Sequence, residues 1–248
     1  MKNLNTAKKS VLGNMILRQT MGGLRKEDKI RDKDNLIERI KEEYEKQNSK
    51  NTHKLDLTML DVSLVEDMSN MFGLFCNHFT LQSIDVSNWD THNVRDMYGM
   101  FCGCRSLESV DVSKWDVGNV ETMKCMFDTC KCLESIDVSN WDVNNVKNME
   151  DMFYKCSSLK SIDVSHWNVS NVENMEGMFY GCSSLKSIDV SNWDVSNVEN
   201  MEGMFGGCES LEPVDVSNWD VSNMESKFYM FKGCKFNYKK EGNRLIRI

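Results

Sequence analysis

Aspartate recurs in this sequence with a regularity that raises the possibility of cation or acid–base chemistry. Asp56, Asp85, Asp111, Asp137, Asp163, Asp189 and Asp215 form one column, and Asp61, Asp90, Asp116, Asp142, Asn168, Asp194 and Asp220 form a second. On stacked strands, neighbouring carboxylates about 5 Å apart repel by about 1 kcal/mol in water and about 3 kcal/mol at an effective dielectric of 20. Such a ladder needs compensation from backbone N–H groups, from Ser and Asn side chains, or from cations. The Ser-Asn turn that follows each aspartate offers local hydrogen bonds as the simplest source. A calcium ladder and an acidic face for a basic partner are the alternatives, although no spacing matches a calcium loop. In the second column Asn168 keeps the acceptor and discards the charge, which points to turn capping. Every carboxylate pair recurs in every repeat, so no acid–base couple of the glycosidase kind is set apart from its copies.

Ten cysteines invite the same question. Cys104, Cys130, Cys156, Cys182, Cys208 and Cys234 are spaced by 26 residues, and a small, weakly polar side chain suits a stacked core position. Stacked thiols that point the same way are poorly placed for a disulfide, so the column is expected to be reduced. Cys76, Cys102, Cys125 and Cys132 lie off it. A metal site at Cys102-x-Cys104 with Cys130-x-Cys132 is a weaker reading, and the four histidines form no ligand spacing. No P-loop, GxSxG, HExxH or GxGxxG context is present. Neither enzymatic activity nor a cofactor is expected.

The elements that position these columns follow from the same period. Trp89, Trp115, Trp141, Trp167, Trp193 and Trp219 are each 26 residues apart, as are Phe101, Phe127, Phe153, Phe179, Phe205 and Phe231. Asp163–Ile188 and Asp189–Val214 agree at 19 of 26 positions. Self-similarity of this kind marks stacked repeats, each stable only because its neighbours cover it. Within one unit, Leu185-Lys-Ser-Ile-Asp-Val190 reads as a strand with Ile188 and Val190 inward and Asp189 outward. Val198, Met201, Met204 and Phe205 suit a short helical or 3-10 turn, or equally a second short strand over Val198–Met201. Leu60 replaces the tryptophan in an irregular first unit, which argues that the Trp column fills core volume, since leucine cannot stack.

The recurring Met-Phe-x-x-Cys-x-Ser-Leu-x-Ser-Ile-Asp-Val-Ser-x-Trp-Asp-Val-x-Asn-Val-x-x-Met, from about Leu36 to Cys234, resembles the BspA-like leucine-rich repeat surface protein family, including its branch of unknown function. The resemblance implies a non-enzymatic binding scaffold, displayed on or released from a microbial cell and in some members used for attachment. The expected fold is a leucine-rich-repeat-like parallel β-solenoid of about seven 26-residue coils with short helical or 3-10 turns. Residues 1–30 read as a disordered basic segment, and 31–54 as a helical cap and lead-in, with Asp34 as N-cap of a helix over Asp34–Gln47. Residues 55–234 form the solenoid and 235–248 a C-terminal cap in which Arg244–Ile248 adds a strand.

Charge and composition bound the partners. Residues 1–50 carry 13 Lys/Arg and 8 Asp/Glu, and the remainder 17 and 30, so a basic head joins an acidic body. That balance argues against nucleic acid as the main partner. No apolar run is long enough to span a membrane. A protein or glycan partner is expected along the strand face, with oligomeric state open. The candidate contacts are the positions that vary between coils, Glu108, Glu134, Lys160, Lys186 and Glu212, beside Asp111, Asp137, Asp163, Asp189 and Asp215. The resemblance implies a surface or secreted location. Without a recognisable signal peptide, lipobox cysteine or anchor, a cytoplasmic scaffold is the alternative.

Overall fold

Asp32 begins the regular structure: its Oδ1 accepts the N–H of Asn35 at 2.9 Å, and α1 (Lys33–Asn48) follows. The computed structural model describes residues 30–48, 53–73, 81–226 and 228–248. Asp32, not Asp34, is therefore the N-cap; Asp34 falls in the first turn, where its charge suits the helix dipole. The expected disordered segment 1–30 lies outside the described residues except for Ile30, which is buried against the core. Leu36 and Ile40 are fully buried, with Ile37 and Tyr44 packed beside them.

The helix closes the first edge of the array. Gln47 Nε2 donates to the Asp56 carbonyl at 2.7 Å while its Oε1 accepts the Asp56 N–H at 2.8 Å, so one amide side chain substitutes for a neighbouring strand on β1 (Lys54–Asp56). Lys33 Nζ donates to Ser69 Oγ at 2.5 Å further along the same end.

β1 pairs in parallel with β2 (Ser83–Asp85), which pairs in parallel with β3 (Ser109–Val110), setting Leu55 beside Ile84 and Ile84 beside Val110. The expected strand in every coil is not found. Beyond β3 this ladder thins to the Ser135–Ser161 bridge and single backbone bonds such as Lys160 N–H to Glu134 C=O, 3.0 Å. The reason is local: of this short extended run, Lys160, Lys186 and Glu212 each send one N–H to the preceding coil, and a single bond per coil is too few to extend the sheet.

A different ladder runs unbroken through Asp67, Asp96, Thr122, Asn148, Asn174, Asn200 and Ser226, each bridged in parallel to the next. It lies where the sequence allowed either a turn of helix or a second short strand, and short parallel bridging is what forms. The Met-Phe run after it is not helical. Alternate N–H groups there point along the stack to the next coil: Met97 to Thr122 O, Gly99 to Lys124 O, Phe101 to Met126 O and Gly103 to Asp128 O, at 2.8 to 3.1 Å. The intervening N–H groups of Met100, Cys102 and Cys104 close turns onto carbonyls three residues back. This alternation requires left-handed residues, met by glycine at Gly99 and Gly103 and by Cys125 and Thr129 one coil later.

The result is a repeat fold with a single continuous core. Tryptophans of adjacent coils stack at 6.2 to 6.5 Å and phenylalanines at 4.9 to 5.6 Å, nearly parallel. The C-terminal segment departs from expectation: Arg244–Ile248 adds no strand to the array. Instead β4 (Tyr238–Glu241) and β5 (Arg244–Arg247) form an antiparallel hairpin. It leans on the last coil through Tyr238 Oη to Val214 O, Lys240 Nζ to Val221 O (2.9 Å) and Arg244 Nη1 to Ser217 O (2.5 Å).

Candidate interaction surface

Each coil turns three corners, and each corner is held by an Asx-type bond. In the first column Oδ1 of Asp111, Asp137, Asp163 and Asp189 accepts both the N–H, at 3.1 to 3.2 Å, and the hydroxyl, at 2.7 Å, of the serine two residues on. Asp215 Oδ1 accepts the Ser217 N–H at 3.0 Å. The second column likewise accepts the N–H two residues on, and Asn168 Oδ1 accepts the Ser170 N–H at 3.2 Å where its neighbours use a carboxylate. These serine side-chain bonds, then the serine N–H, hold Asp111, Asp163 and Asp189 below the ordinary carboxylate range. The ladder is thus fixed by its own turns.

Two features of these corners were not drawn from the sequence. One is a third column of capping acceptors, Asp67, Asp96, Asn148, Asn174 and Asn200 among them. The other is an asparagine ladder in which Asn93, Asn119, Asn145, Asn171, Asn197 and Asn223 each donate a side-chain N–H to a carbonyl of the preceding coil at 2.6 to 2.7 Å. The constant asparagine in Val-x-Asn-Val was its visible signal.

All ten candidate contact residues are exposed on one side of the array. Glu134 and Lys160 are brought into an ion pair at 2.6 Å, Glu108 accepts from Gln82 at 2.9 Å, and Glu212 lies 3.8 Å from Lys235. Lys186 continues the row through its backbone, its carbonyl accepting the Glu212 N–H at 2.9 Å. The surface is therefore a constant carboxylate row beside a row that is acidic at Glu108, Glu134 and Glu212 and basic at Lys160 and Lys186.

The aromatic and thiol columns face the other way. The tryptophans are buried, and each indole Nε1 donates to a carbonyl of the preceding coil at 3.0 to 3.2 Å. The column cysteines from Cys130 to Cys234 donate S–H to phenylalanine carbonyls of the preceding coil at 3.1 to 3.2 Å. Burial raises the thiol pKa of Cys130, Cys156 and Cys182. Cys104 corrects the expectation of a wholly reduced column: it is disulfide-bonded, while Cys130, Cys156, Cys182, Cys208 and Cys234 are free; Cys76 lies outside the described residues. Parallel stacking disfavours bonds within the column but not a bond leaving it. Among the described residues no three of His, Cys, Asp and Glu converge as a metal site.

One carboxylate is costly. Asp151 adopts a left-handed backbone (φ 54°), and burial, with Glu150, Asp128 and Glu176 nearby, pushes its pKa up to about 6. Its folded value lies above the unfolded one, so ionisation disfavours folding: the penalty is absent below the ordinary aspartate value of 3.8 and complete above about 6. Asp151→Asn keeps a residue that tolerates this backbone. It is expected to stabilise the protein by about 1 kcal/mol at pH 7.5, after allowing for solvent screening, and by almost nothing at pH 3.5. Urea denaturation at the two pH values measures this; an equal gain at both contradicts the electrostatic cause.

The last coil differs from the others. Following the pattern above, Gly203, Phe205 and Gly207 donate to the carbonyls of Phe228, Met230 and Lys232 at 2.7 to 2.9 Å. The N–H groups one coil later, on Tyr229, Phe231 and Gly233, donate to no described residue. Tyr229 and Gly233 are left-handed (φ 61° and 86°). Residues 228–248 also reverse the charge of the body, with six Lys/Arg against the single acidic residue Glu241.

No curated protein matches the sequence. Among solved structures, the TLR13 chain of a TLR13–ssRNA13 complex is similar at 18% identity and a TM-score of 0.41, over 73% of this chain and 23% of that one. The chain thus spans about a quarter of that protein's length. The family described as "Mycoplasma protein of unknown function, DUF285" matches over residues 39–162 and 154–243, which together take in most of the coils, and the chain belongs to that family.

Proposed function

We propose that this protein is a non-enzymatic binding scaffold of the BspA-like type, a leucine-rich-repeat-like solenoid that engages a protein or glycan partner along its exposed carboxylate side. The observation that carries this reading is the pairing of a constant row with a variable one. Asp111, Asp137, Asp163, Asp189 and Asp215 are held in the same geometry coil after coil, while the row beside them varies in sign, negative at Glu108, Glu134 and Glu212 and positive at Lys160 and Lys186. A rigid row with interchangeable neighbours suits graded recognition of an extended partner.

The disulfide at Cys104 supports placement in an oxidising compartment, at the cell surface or secreted, over the cytoplasmic alternative. Charge reversal at Lys160 and Lys186 tests the contact surface. Lys160→Glu/Lys186→Glu is expected to weaken adherence of the purified protein to its target cells by about tenfold, an electrostatic effect that added salt reduces. Unchanged adherence with an unchanged unfolding curve removes this face from the interaction. Digestion of the protein on intact source cells by added protease tests location; full protection until lysis favours the intracellular scaffold.

A further inference from the structure

We infer that the C-terminal end of the array is a second binding site, which receives an extended acidic peptide as an additional ladder rung. The inference does not depend on the carboxylate side described above. In every preceding coil the odd-numbered or even-numbered N–H groups of the Met-Phe run, taken alternately, are used along the stack by the carbonyls of the next coil. At the last coil the N–H groups of Tyr229, Phe231 and Gly233 repeat that direction and are unspent among the described residues. Alternate N–H groups pointing off the last coil form an electropositive edge that accepts carbonyl or carboxylate oxygen, as an unpaired strand edge does.

The surroundings define the ligand further. The β4–β5 hairpin covers the Val214–Val221 part of this end and leaves a groove between the Met-Phe corner and Phe236, Tyr238 and Ile248. Phe228 is 68% exposed, Tyr229 60% and Ile248 66%, so the rim offers apolar area to side chains of an incoming strand. Lys232 stands over the Tyr229 ring at 4.4 Å, and Lys235, 3.8 Å from Glu212, and Lys240, which donates to Val221 O, line the groove with a single acidic side chain, Glu225. Backbone donors at alternate residues select an extended chain, as in strand addition. The lysines select acidic side chains on it.

Hydrogen exchange on the full chain tests this, with an acetylated octapeptide alternating glutamate and leucine as the probe. In the free protein the amides of Tyr229, Phe231 and Gly233 are expected to exchange fast, and those of Gly203, Phe205 and Gly207 slowly. The peptide should slow the first set by at least about tenfold and leave the second unchanged. A glutamine version of the peptide, or the Lys232→Glu/Lys235→Glu variant, should lose most of that protection while Gly203, Phe205 and Gly207 stay protected, which shows the variant folded. No slowing by the acidic peptide overturns the inference. Equal slowing by oligothymidylate of matched charge overturns the peptide as ligand in favour of a general anion site. The Lys160→Glu/Lys186→Glu variant should respond as the parent does, so failure of the lateral contact surface and failure of this site are separately visible.

Discussion

Phe153→Ala will lower the unfolding free energy by about 3–5 kcal/mol, the range for truncating a buried aromatic that leaves a cavity. Phe153 is fully buried and stacks on Phe127 at 5.4 Å and on Phe179 at 5.5 Å. Its ring therefore belongs to two interfaces, and a cavity there weakens both neighbours. A stack of coils cannot collapse sideways to refill the space, because alternate carbonyls of the Met-Phe run are held by N–H groups of the preceding coil. The Phe153 N–H itself donates to Met178 O at 2.8 Å. The same truncation at Phe231, which has a stacked ring on only one side and tilted partners on the other, should cost less by about 1 kcal/mol or more. Urea unfolding of the two variants gives the comparison. Equal losses would mean that the coils do not share stability between nearest neighbours.

The second large effect is at the opposite end. Leu36→Asp/Ile40→Asp places two carboxylates where both native side chains are fully buried, and the expected loss exceeds about 4 kcal/mol. It should also be spatially graded. Once α1 detaches, Gln47 no longer satisfies the Asp56 backbone and Lys33 leaves Ser69. The first coil then has an open edge. Amide exchange at Leu57, Val65 and Met68 is expected to accelerate strongly, with that at Met149 and Met175 changing much less. Uniform acceleration through all coils would show instead that the array unfolds as one unit and that α1 is not a local cap. Exposed edges also associate, so light scattering should rise in this variant and not in Phe153→Ala.

Much of this architecture is legible in the residues. The Trp, Phe, Leu and Cys columns announce stacked repeats, and Leu60 in place of tryptophan correctly assigns the indoles to the core, where they are buried. Asn168 likewise predicted that its column serves turns, since an amide can accept from Ser170 as a carboxylate accepts from its serine. Less legible was the identity of the turns in the Met-Phe run. Apolar residues at three- and four-residue steps look the same whether they line a helix or alternate between in-coil and axial hydrogen bonds. Only the left-handed positions separate the two, and those at Cys125, Thr129, Asp151 and Lys155 carry no glycine to mark them.

The candidate contact residues were legible as outward-facing positions because alternation along a short extended segment needs no tertiary information. The C-terminal site was not. Its sequence shows a cluster of lysines and aromatics, but a row of N–H groups unspent among the described residues is visible only once the direction of bonding along the stack is known.

By itself, the sequence determined the period, the core columns and the capping chemistry at two corners of each coil, because these depend on residue type at fixed spacing. The tertiary structure decided which ladder carries the stack, since residues 26 apart pair only where their N–H groups point along the stack instead of back into their own coil. It also decided that Gln47 seals one end and that the hairpin leaves part of the other open. Ends are irregular by nature: each faces one neighbour instead of two, so nothing in the repeat specifies how they finish.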